Sequence, residues 1–188
     1  MKSDIWDGGH RVPFLARWPG RIPAGSVCRE TVCLNDLLAT VAAMHDVRLP
    51  DDAGEDSFNM LPELLDREAA GDSRDAVVHF EEATVHHSVF GYFAIRKGKW
   101  KLCLCAGSGG WAGKPSTEQA REMGMPSVQL YNMEKDLAEQ NNVYEQHPQV
   151  VEELKTLLSE YIRQGRSTPG RSQENWKGQT EWEGVTWM

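Results

Sequence analysis

Residues 2–25 constrain the fold of this chain more than any other part of it. The adjacent glycines Gly8 and Gly9 precede His-Arg-Val-Pro, and an apolar run then leads into a Trp-Pro-Gly turn that ends at Gly20. Clusters of glycine and proline predict tight turns, and the apolar run at 12–18 predicts a short buried strand between them. This density of turn residues and specialised side chains is typical of the interior of an enzyme.

Length and charge narrow the class of protein. The chain has 188 residues, enough for one domain or for two small ones. It contains no apolar run long enough to span a membrane, and polar residues follow Met1 where a secretory signal would be apolar. The formal net charge of −8 argues against nonspecific binding to nucleic acid or to anionic membranes. A locally basic site for an anionic substrate is compatible with this negative net charge.

Three helices are predicted. Asn35 or Asp36 can cap a helix over 37–44, whose apolar residues share one stripe. Residues 58–65 form a shorter helical candidate. Pro148 begins the clearest helix, because proline suits the first helical position and an apolar stripe follows it for four turns.

Strands are predicted mainly in the second half of the chain. They lie at 76–81, 92–96, 99–103 and 128–132. Lys97-Gly98 is the predicted turn of an antiparallel hairpin. The Gly-Ser-Gly-Gly-Trp stretch at 107–111 is predicted to be a flexible loop, and it lacks the Lys-Ser/Thr pair of a phosphate-binding P-loop.

The cysteines are not arranged as a common metal motif. They are Cys28, Cys33, Cys103 and Cys105, with no Cys-x-x-Cys pair among them. Cys103 and Cys105 are two residues apart in a predicted strand and share a face, which favours buried free thiols. A metal site that combined them with His86 and His87 is the weaker alternative, because the spacing does not match the common zinc motifs.

Several segments, taken in order along residues 2–170, carry a family resemblance. They are Lys2 to Phe14 with its Trp-Asp-Gly-Gly centre, Trp-Pro-Gly at 18–20, Ile-Pro-Ala-Gly at 22–25, and the segments at 34–43, 93–102 and 129–136. Together they resemble type I, formylglycine-dependent sulfatases, and the loop at 107–111 resembles their arylsulfatase-A-like bacterial branch. The resemblance implies an α/β, alkaline-phosphatase-like fold with a C-terminal α+β subdomain, built from an antiparallel sheet and a long helix.

The resemblance also implies a domain organisation. Residues 1–70 correspond to the C-terminal end of the catalytic α/β domain, 71–170 to the C-terminal subdomain, and 171–188 to a tryptophan-containing tail that we expect to dock in part. We therefore interpret the chain as a C-terminal fragment. Its apolar segments before residue 70 would normally pack on a large parallel sheet, so we expect them to be exposed here and to promote association.

Part of the chemistry that the resemblance implies has no counterpart in the sequence. Formylglycine forms from cysteine or serine in Cys/Ser-x-Pro/Ala-x-Arg, and acidic and amide side chains hold a calcium ion. The string from Ser167 to Arg171 fits that pattern, but it follows the last helix and we interpret it as a turn. We expect calcium and formylglycine in a full-length parent, no cofactor or metal site in this chain, and no activity of the chain alone.

Four residues are candidates for the site. Lys2 matches the family's active-site lysine by its spacing to Trp-Asp-Gly-Gly, and its ammonium would neutralise a bound sulfate; the alternative is a solvated terminal lysine. The resemblance also places His86 and His87 where a substrate cleft can be, and His10 near its rim. The alternatives are a polar surface loop for the pair and a hydrogen-bonded turn histidine for His10. Arg11 is expected to be structural.

The leading hypothesis is the C-terminal portion of a sulfatase whose full-length form hydrolyses sulfate esters, with sulfated sugars as the expected substrates. The implied partners are a sulfated small molecule or glycan and the N-terminal part of the sulfatase, with no nucleic acid and no membrane span. The resemblance implies a periplasmic or extracellular location. Two alternatives stay open: a non-catalytic module that binds glycans or proteins, and a phosphate or phosphonate ester hydrolase of the same superfamily.

Overall fold

A computed structural model describes residues 2–28, 30–65, 83–175, 182 and 185. Its elements are α1 Leu37–Met44, α2 Leu61–Leu65, β1 Thr84–His87, β2 Phe93–Lys97, β3 Trp100–Cys103, α3 Thr117–Glu122, β4 Gln129–Asn132 and α4 Pro148–Gln164. Short 3-10 helices occupy Asp7–Gly9 and Leu34–Asp36. The residues group into two compact units, the first from Met1–Val12, Glu82–Arg163 and Glu174–Met188 and the second from Pro13–Glu81 and Gln164–Gln173.

The first unit is built on a four-stranded antiparallel sheet in the order β1-β2-β3-β4. Lys97 pairs with Trp100, which leaves Gly98 and Lys99 as the two-residue turn of the central hairpin. Gly98 has a φ of +53°, the left-handed backbone that such turns require. The predicted hairpin is therefore confirmed, with its turn shifted by one residue, and the predicted strand at 76–81 lies outside the described residues.

One face of the sheet packs against α4. Alternate strand residues Ile95, Leu102 and Leu130 point to this face and are fully buried. They contact the apolar stripe of α4, which consists of Val151, Leu154, Leu158 and Ile162. The helix begins at Pro148, as predicted, and is followed by a glycine with left-handed φ at residue 165, which is typical of a helix end. Trp182 also packs on this core, whereas the other two tail tryptophans lie outside the described residues.

The opposite face of the sheet carries polar side chains and is covered by the start of the chain. Ala94, Arg96, Lys101 and Tyr131 belong to this face by their register. Ile5 is fully buried in a second apolar cluster with residues of this face. Residues 1–12, which the sequence analysis assigned to the first domain, thus cluster with the sheet, and the predicted boundary at 70/71 lies outside the described residues.

The second unit holds α1 and α2 with the loops that join them. The predicted helix α1 is confirmed, and Asp36 before it uses its carboxylate to accept hydrogen bonds from the backbone N–H of Cys33 (2.7 Å) and of Phe58 (2.9 Å). The strand predicted at 12–18 is wrong. These residues form no strand, and Leu15 is almost fully exposed, since no neighbouring strand in the described part of this unit offers hydrogen-bond partners. None of the described helices is long and apolar enough to cross a membrane.

The contact between the sheet and α4 should dominate the stability of the first unit. Leu158 is 1% exposed at the centre of this core. We expect Leu158→Ala to lower the free energy of unfolding by about 2–5 kcal/mol, because it removes buried methyl groups and leaves a cavity. Leu137→Ala is the matched control, since Leu137 is 54% exposed and its truncation should change stability by less than about 0.5 kcal/mol. Equal effects of the two variants in urea unfolding would contradict the packing described here.

Candidate functional site

The backbone that follows Lys2 is hydrogen-bonded to two loops of the first unit. The N–H of Val89 donates to the carbonyl of Ser3 (3.0 Å), and the N–H of Ile5 donates to the carbonyl of Ser108 (2.8 Å). Lys2 itself is exposed. The segment from Ser3 to Asp7, which we term the lysine bracket, is therefore fixed while the side chain beside it stays accessible.

Residues 105–113, which we term the glycine-rich loop, pack closely against the lysine bracket. Asp4 accepts hydrogen bonds from the backbone N–H of Ala112 (3.3 Å) and Gly113 (3.0 Å). A Cβ at Gly110 would lie 2.5 Å from the Ser3 carbonyl oxygen, and one at Gly113 would lie 2.8 Å from an Asp4 carboxylate oxygen. Glycine is needed at both positions because the backbone approaches so closely. The prediction of a flexible loop is wrong, since residues 105–110 are all buried.

A second polar contact holds the bracket through its tryptophan. The indole N–H of Trp6 donates to the side-chain carbonyl of Gln129 (3.2 Å), which also accepts from the Tyr131 hydroxyl (2.6 Å). The amide nitrogen of Gln129 donates to the carbonyls of Cys105 (2.7 Å) and Gly107 (2.9 Å). One buried glutamine therefore links the bracket, β4 and the glycine-rich loop.

The strongest contact is an ion cluster around Lys101. The Lys101 ammonium is fully buried and donates to Asp7 Oδ1 (2.7 Å) and to Glu139 Oε1 (2.6 Å). Glu139 Oε2 in turn accepts the backbone N–H of Asp7 at 2.5 Å. Asp7 Oδ2 lies 3.5 Å from the guanidinium of Arg96. We call Asp7, Arg96, Lys101 and Glu139 the buried ion cluster.

The ion cluster explains an otherwise unfavourable strand pairing. Arg96 and Lys101 are directly opposite each other on β2 and β3, and like charges in such pairs repel. The Asp7 carboxylate contacts both cations and removes the conflict. Burial disfavours the charged forms, but the carboxylates hold the pKa of Lys101 above its usual value, and Lys101 holds the pKa of Asp7 below its usual value. Burial raises the pKa of Glu139.

The structure places His10 and His86 together and separates His87 from them. The rings of His10 and His86 have centroids 4.1 Å apart, and His86 Nε2 lies 3.4 Å from the carbonyl oxygen of Ile5. Burial, reinforced by the Lys101 ammonium, lowers the pKa of His86 to about 3, so this imidazole is neutral near pH 7. Burial also lowers the pKa of His10. His87 is exposed on the other face of the sheet, as strand alternation requires.

Metal-binding groups are not assembled in the part of the chain that the structure describes. No group of three or more His, Cys, Asp or Glu residues there could hold a metal ion. Cys103 and Cys105 are buried free thiols whose pKa is raised by burial.

In the second unit, Ser167 donates through its hydroxyl to Asp56 (2.8 Å), which fits the interpretation of residues 167–171 as a turn. Arg11, which we expected to be structural, is exposed. The cations that contact the buried Asp7 carboxylate are Arg96 and Lys101.

Comparisons with known proteins agree on one family. The family model described as "N-sulphoglucosamine sulphohydrolase, C-terminal" matches residues 2–108, more than half of the chain. The N-acetylgalactosamine-6-O-sulfatase of Bacteroides thetaiotaomicron is 31% identical over 160 residues, covering 84% of this chain and 28% of the relative. Arylsulfatase G of Canis lupus familiaris is 30% identical over 139 residues, covering 73% and 25%. The chain thus spans less than a third of the length of these two curated relatives.

Solved structures share the fold. A Bacteroides thetaiotaomicron structure, described under the metabolism of multiple glycosaminoglycans, matches with a TM-score of 0.65 and 31% identity, covering 85% of this chain and 30% of its own. The structure of Ps i-CgsB with a neocarrahexaose matches with a TM-score of 0.63 over the whole chain and 33% of its own, at 22% identity. The predicted fold class, an α/β protein with an antiparallel sheet and a long helix in its C-terminal subdomain, is confirmed.

Removing the central cation should destabilise the first unit. Lys101→Met would leave the Asp7 and Glu139 carboxylates buried without their ammonium partner, so we expect a loss of about 3–5 kcal/mol in the free energy of unfolding. Lys99→Met, two residues earlier at the exposed hairpin turn, is the matched control and should have little effect. Chemical unfolding of both variants measures the difference, and a Lys101→Met chain as stable as Lys99→Met would refute the cluster.

Acid should weaken the first unit through His86. Its folded pKa of about 3 lies below the unfolded value of 6.5, so its stabilising contribution is complete above about pH 6.5 and declines as pH falls towards 3. We expect this residue to account for a loss of roughly 1–2 kcal/mol between about pH 7 and about pH 5. His86→Asn should flatten that dependence in urea unfolding, whereas the exposed-residue control His45→Asn should retain it. An unchanged slope in His86→Asn would exclude this explanation.

Proposed function

The chain belongs to the sulfatase family through the C-terminal domain that its residues 2–108 match, and we propose that it completes the sulfate site of a longer sulfatase by presenting Lys2. In this proposal, the intact enzyme hydrolyses sulfate esters of sulfated sugars. The chain contributes one wall of the site, and the remaining part of the protein contributes the groups that react.

The observation that carries this proposal is the fixed lysine bracket beside an accessible Lys2. Ser3, Ile5 and Asp7 are bonded to three different parts of the first unit, and Lys2 is exposed at the end of this restrained backbone. The restrained backbone limits where the flexible Lys2 side chain can reach, and an ammonium near developing negative charge stabilises it. Lys2 would neutralise the sulfate and stabilise the negative charge on the departing oxygen.

The sulfated-sugar substrate is supported by the names of relatives. The 31% identical relative is an N-acetylgalactosamine-6-O-sulfatase, and the 31% identical structure is described with glycosaminoglycan metabolism. We therefore propose a sulfated amino sugar, tested as N-acetylgalactosamine 6-sulfate, as substrate. His86, which is neutral near pH 7, would offer a ring nitrogen as a hydrogen-bonding group rather than as a cation, and burial lowers the pKa of His10 in the same direction. His87, exposed on the other face of the sheet, stays a predicted substrate contact.

Calcium and formylglycine belong to the remainder of the protein in this proposal. The described residues do not fit either group, because they contain no cluster of three metal-ligating side chains and no buried thiol in the required sequence context. In this proposal the residues of this chain orient Lys2, exclude water beneath the bracket and pair the buried charges of the ion cluster.

Lys2 should matter for turnover and not for folding. In the full-length protein that contains this chain, Lys2→Ala should lower kcat for release of sulfate from N-acetylgalactosamine 6-sulfate by about 100- to 1,000-fold. Stability should be unchanged, because the side chain is exposed. Lys135→Ala, another exposed lysine of the first unit, is the matched control and should retain full turnover.

Three results would count against the proposal. Turnover by this chain alone that is lost in Lys2→Ala would show that the remainder of the sulfatase is not required. Full turnover by the Lys2→Ala enzyme would remove Lys2 from the site. Hydrolysis of a phosphate monoester in preference to the sulfate ester would instead favour the phosphatase alternative.

A further inference from the structure

Two aromatic side chains form an exposed pair in the first unit. Phe90 is 55% and Trp111 is 59% exposed, and their ring centroids lie 6.1 Å apart at an interplanar angle of 73°. Single exposed apolar residues are common and need no explanation. This pair is different because its members come from two separate loops, the one after β1 and the glycine-rich loop, and meet edge to face.

Both loops contact the residue next to Lys2. Val89, which precedes Phe90, donates its N–H to the Ser3 carbonyl at 3.0 Å. Gly110, which precedes Trp111, approaches the same carbonyl so closely that a Cβ would lie 2.5 Å from it. The aromatic pair therefore belongs to the two loops that fix the backbone on which Lys2 stands.

The loop that carries Trp111 is restrained. Ser108 accepts the N–H of Ile5 through its carbonyl, and its own N–H donates to the carbonyl of Pro115 at 3.0 Å. The N–H of Gly110 donates to the Ser108 hydroxyl at 3.3 Å. Trp111 is thus an exposed indole directly after six buried residues, and little conformational entropy is lost when a ligand packs on it.

We propose that Phe90 and Trp111 form a saccharide subsite beside Lys2, which takes the pyranose ring of the sulfated sugar. This proposal rests on the proposed function. A pyranose ring has an apolar C–H face and a polar rim, so the face can pack on an indole while the hydroxyls stay hydrated. The cation beside the pair would hold the sulfate, and the aromatic rings would hold the sugar that bears it.

The kinetic test separates the two parts of the ligand. In the full-length protein, Trp111→Ala should raise KM for N-acetylgalactosamine 6-sulfate by about tenfold, the size of one aromatic contact. The inhibition constant of inorganic sulfate should change by less than about twofold, since sulfate has no ring to pack. Trp111→Phe should recover most of the affinity, and Leu137→Ala, a similarly exposed apolar residue, should leave both constants unchanged.

A binding measurement decides the subsite independently of turnover. The Trp111 indole N–H resonance of this chain, assigned with Trp111→Phe, should shift when N-acetylgalactosamine 6-sulfate is titrated and shift less with inorganic sulfate. If the full-length protein shows no sulfatase activity but this shift occurs, the proposed function fails and the saccharide subsite stands.

Three outcomes would overturn the subsite. They are no indole shift with the sulfated sugar, an equal loss of affinity for sugar and inorganic sulfate in Trp111→Ala, and a loss of thermal stability of the full-length protein in that variant. The last result would show that the aromatic pair is covered by another part of the protein instead of by a sugar.

Discussion

The buried ammonium of Lys101 is the interaction on which one whole face of the sheet depends. A lysine in the interior is tolerated only when its charge is paired and hydrogen-bonded, and here Asp7 and Glu139 both meet it within 2.7 Å. Asp7 is also the last residue of the lysine bracket, so the same contact neutralises the Lys101 charge and fixes the position of the bracket. Arg96 lies opposite Lys101 in the strand pairing and contacts the same Asp7 carboxylate. The register of the hairpin therefore determines whether both cations can reach Asp7.

The sheet therefore serves two different purposes on its two faces. Apolar residues on one face pack with α4, which supplies most of the hydrophobic stabilisation of the unit. The other face carries Arg96, Lys101 and Gln129, which would be costly without partners, and the bracket provides one partner for each of them. The polar face makes the position of the bracket specific, because a shifted backbone would leave these groups unpaired.

Local patterns in the sequence were sufficient for the elements that depend on local chemistry. The stripe after Pro148 predicted α4, and two strand candidates joined by a turn at Lys97-Gly98 predicted the hairpin. The motif around Gly8 and Gly9 led to the correct family. The strand at 12–18 was wrong, because an apolar run has no strand structure without a neighbour to pair with. The ion cluster was missed, since Asp7 and Lys101 are 94 residues apart and only the fold brings them together. A lysine between apolar strand residues was the available signal. The glycine-rich loop was predicted to be flexible because the sequence alone does not distinguish a glycine that permits close backbone packing from a glycine in a flexible loop.

The bond between the Asp7 N–H and Glu139 has a consequence for the order in which the molecule is made. The two residues are 132 positions apart, so the bracket leaves the ribosome long before the carboxylate that fixes it has been synthesised. During translation the Asp7 end of the bracket lacks its bond to Glu139 until β4 and the following turn have emerged. Contacts of such sequence separation form late and slowly. A chain that ended before residue 139 would contain every residue of the bracket and still lack the carboxylate that binds both the Asp7 N–H and the Lys101 ammonium.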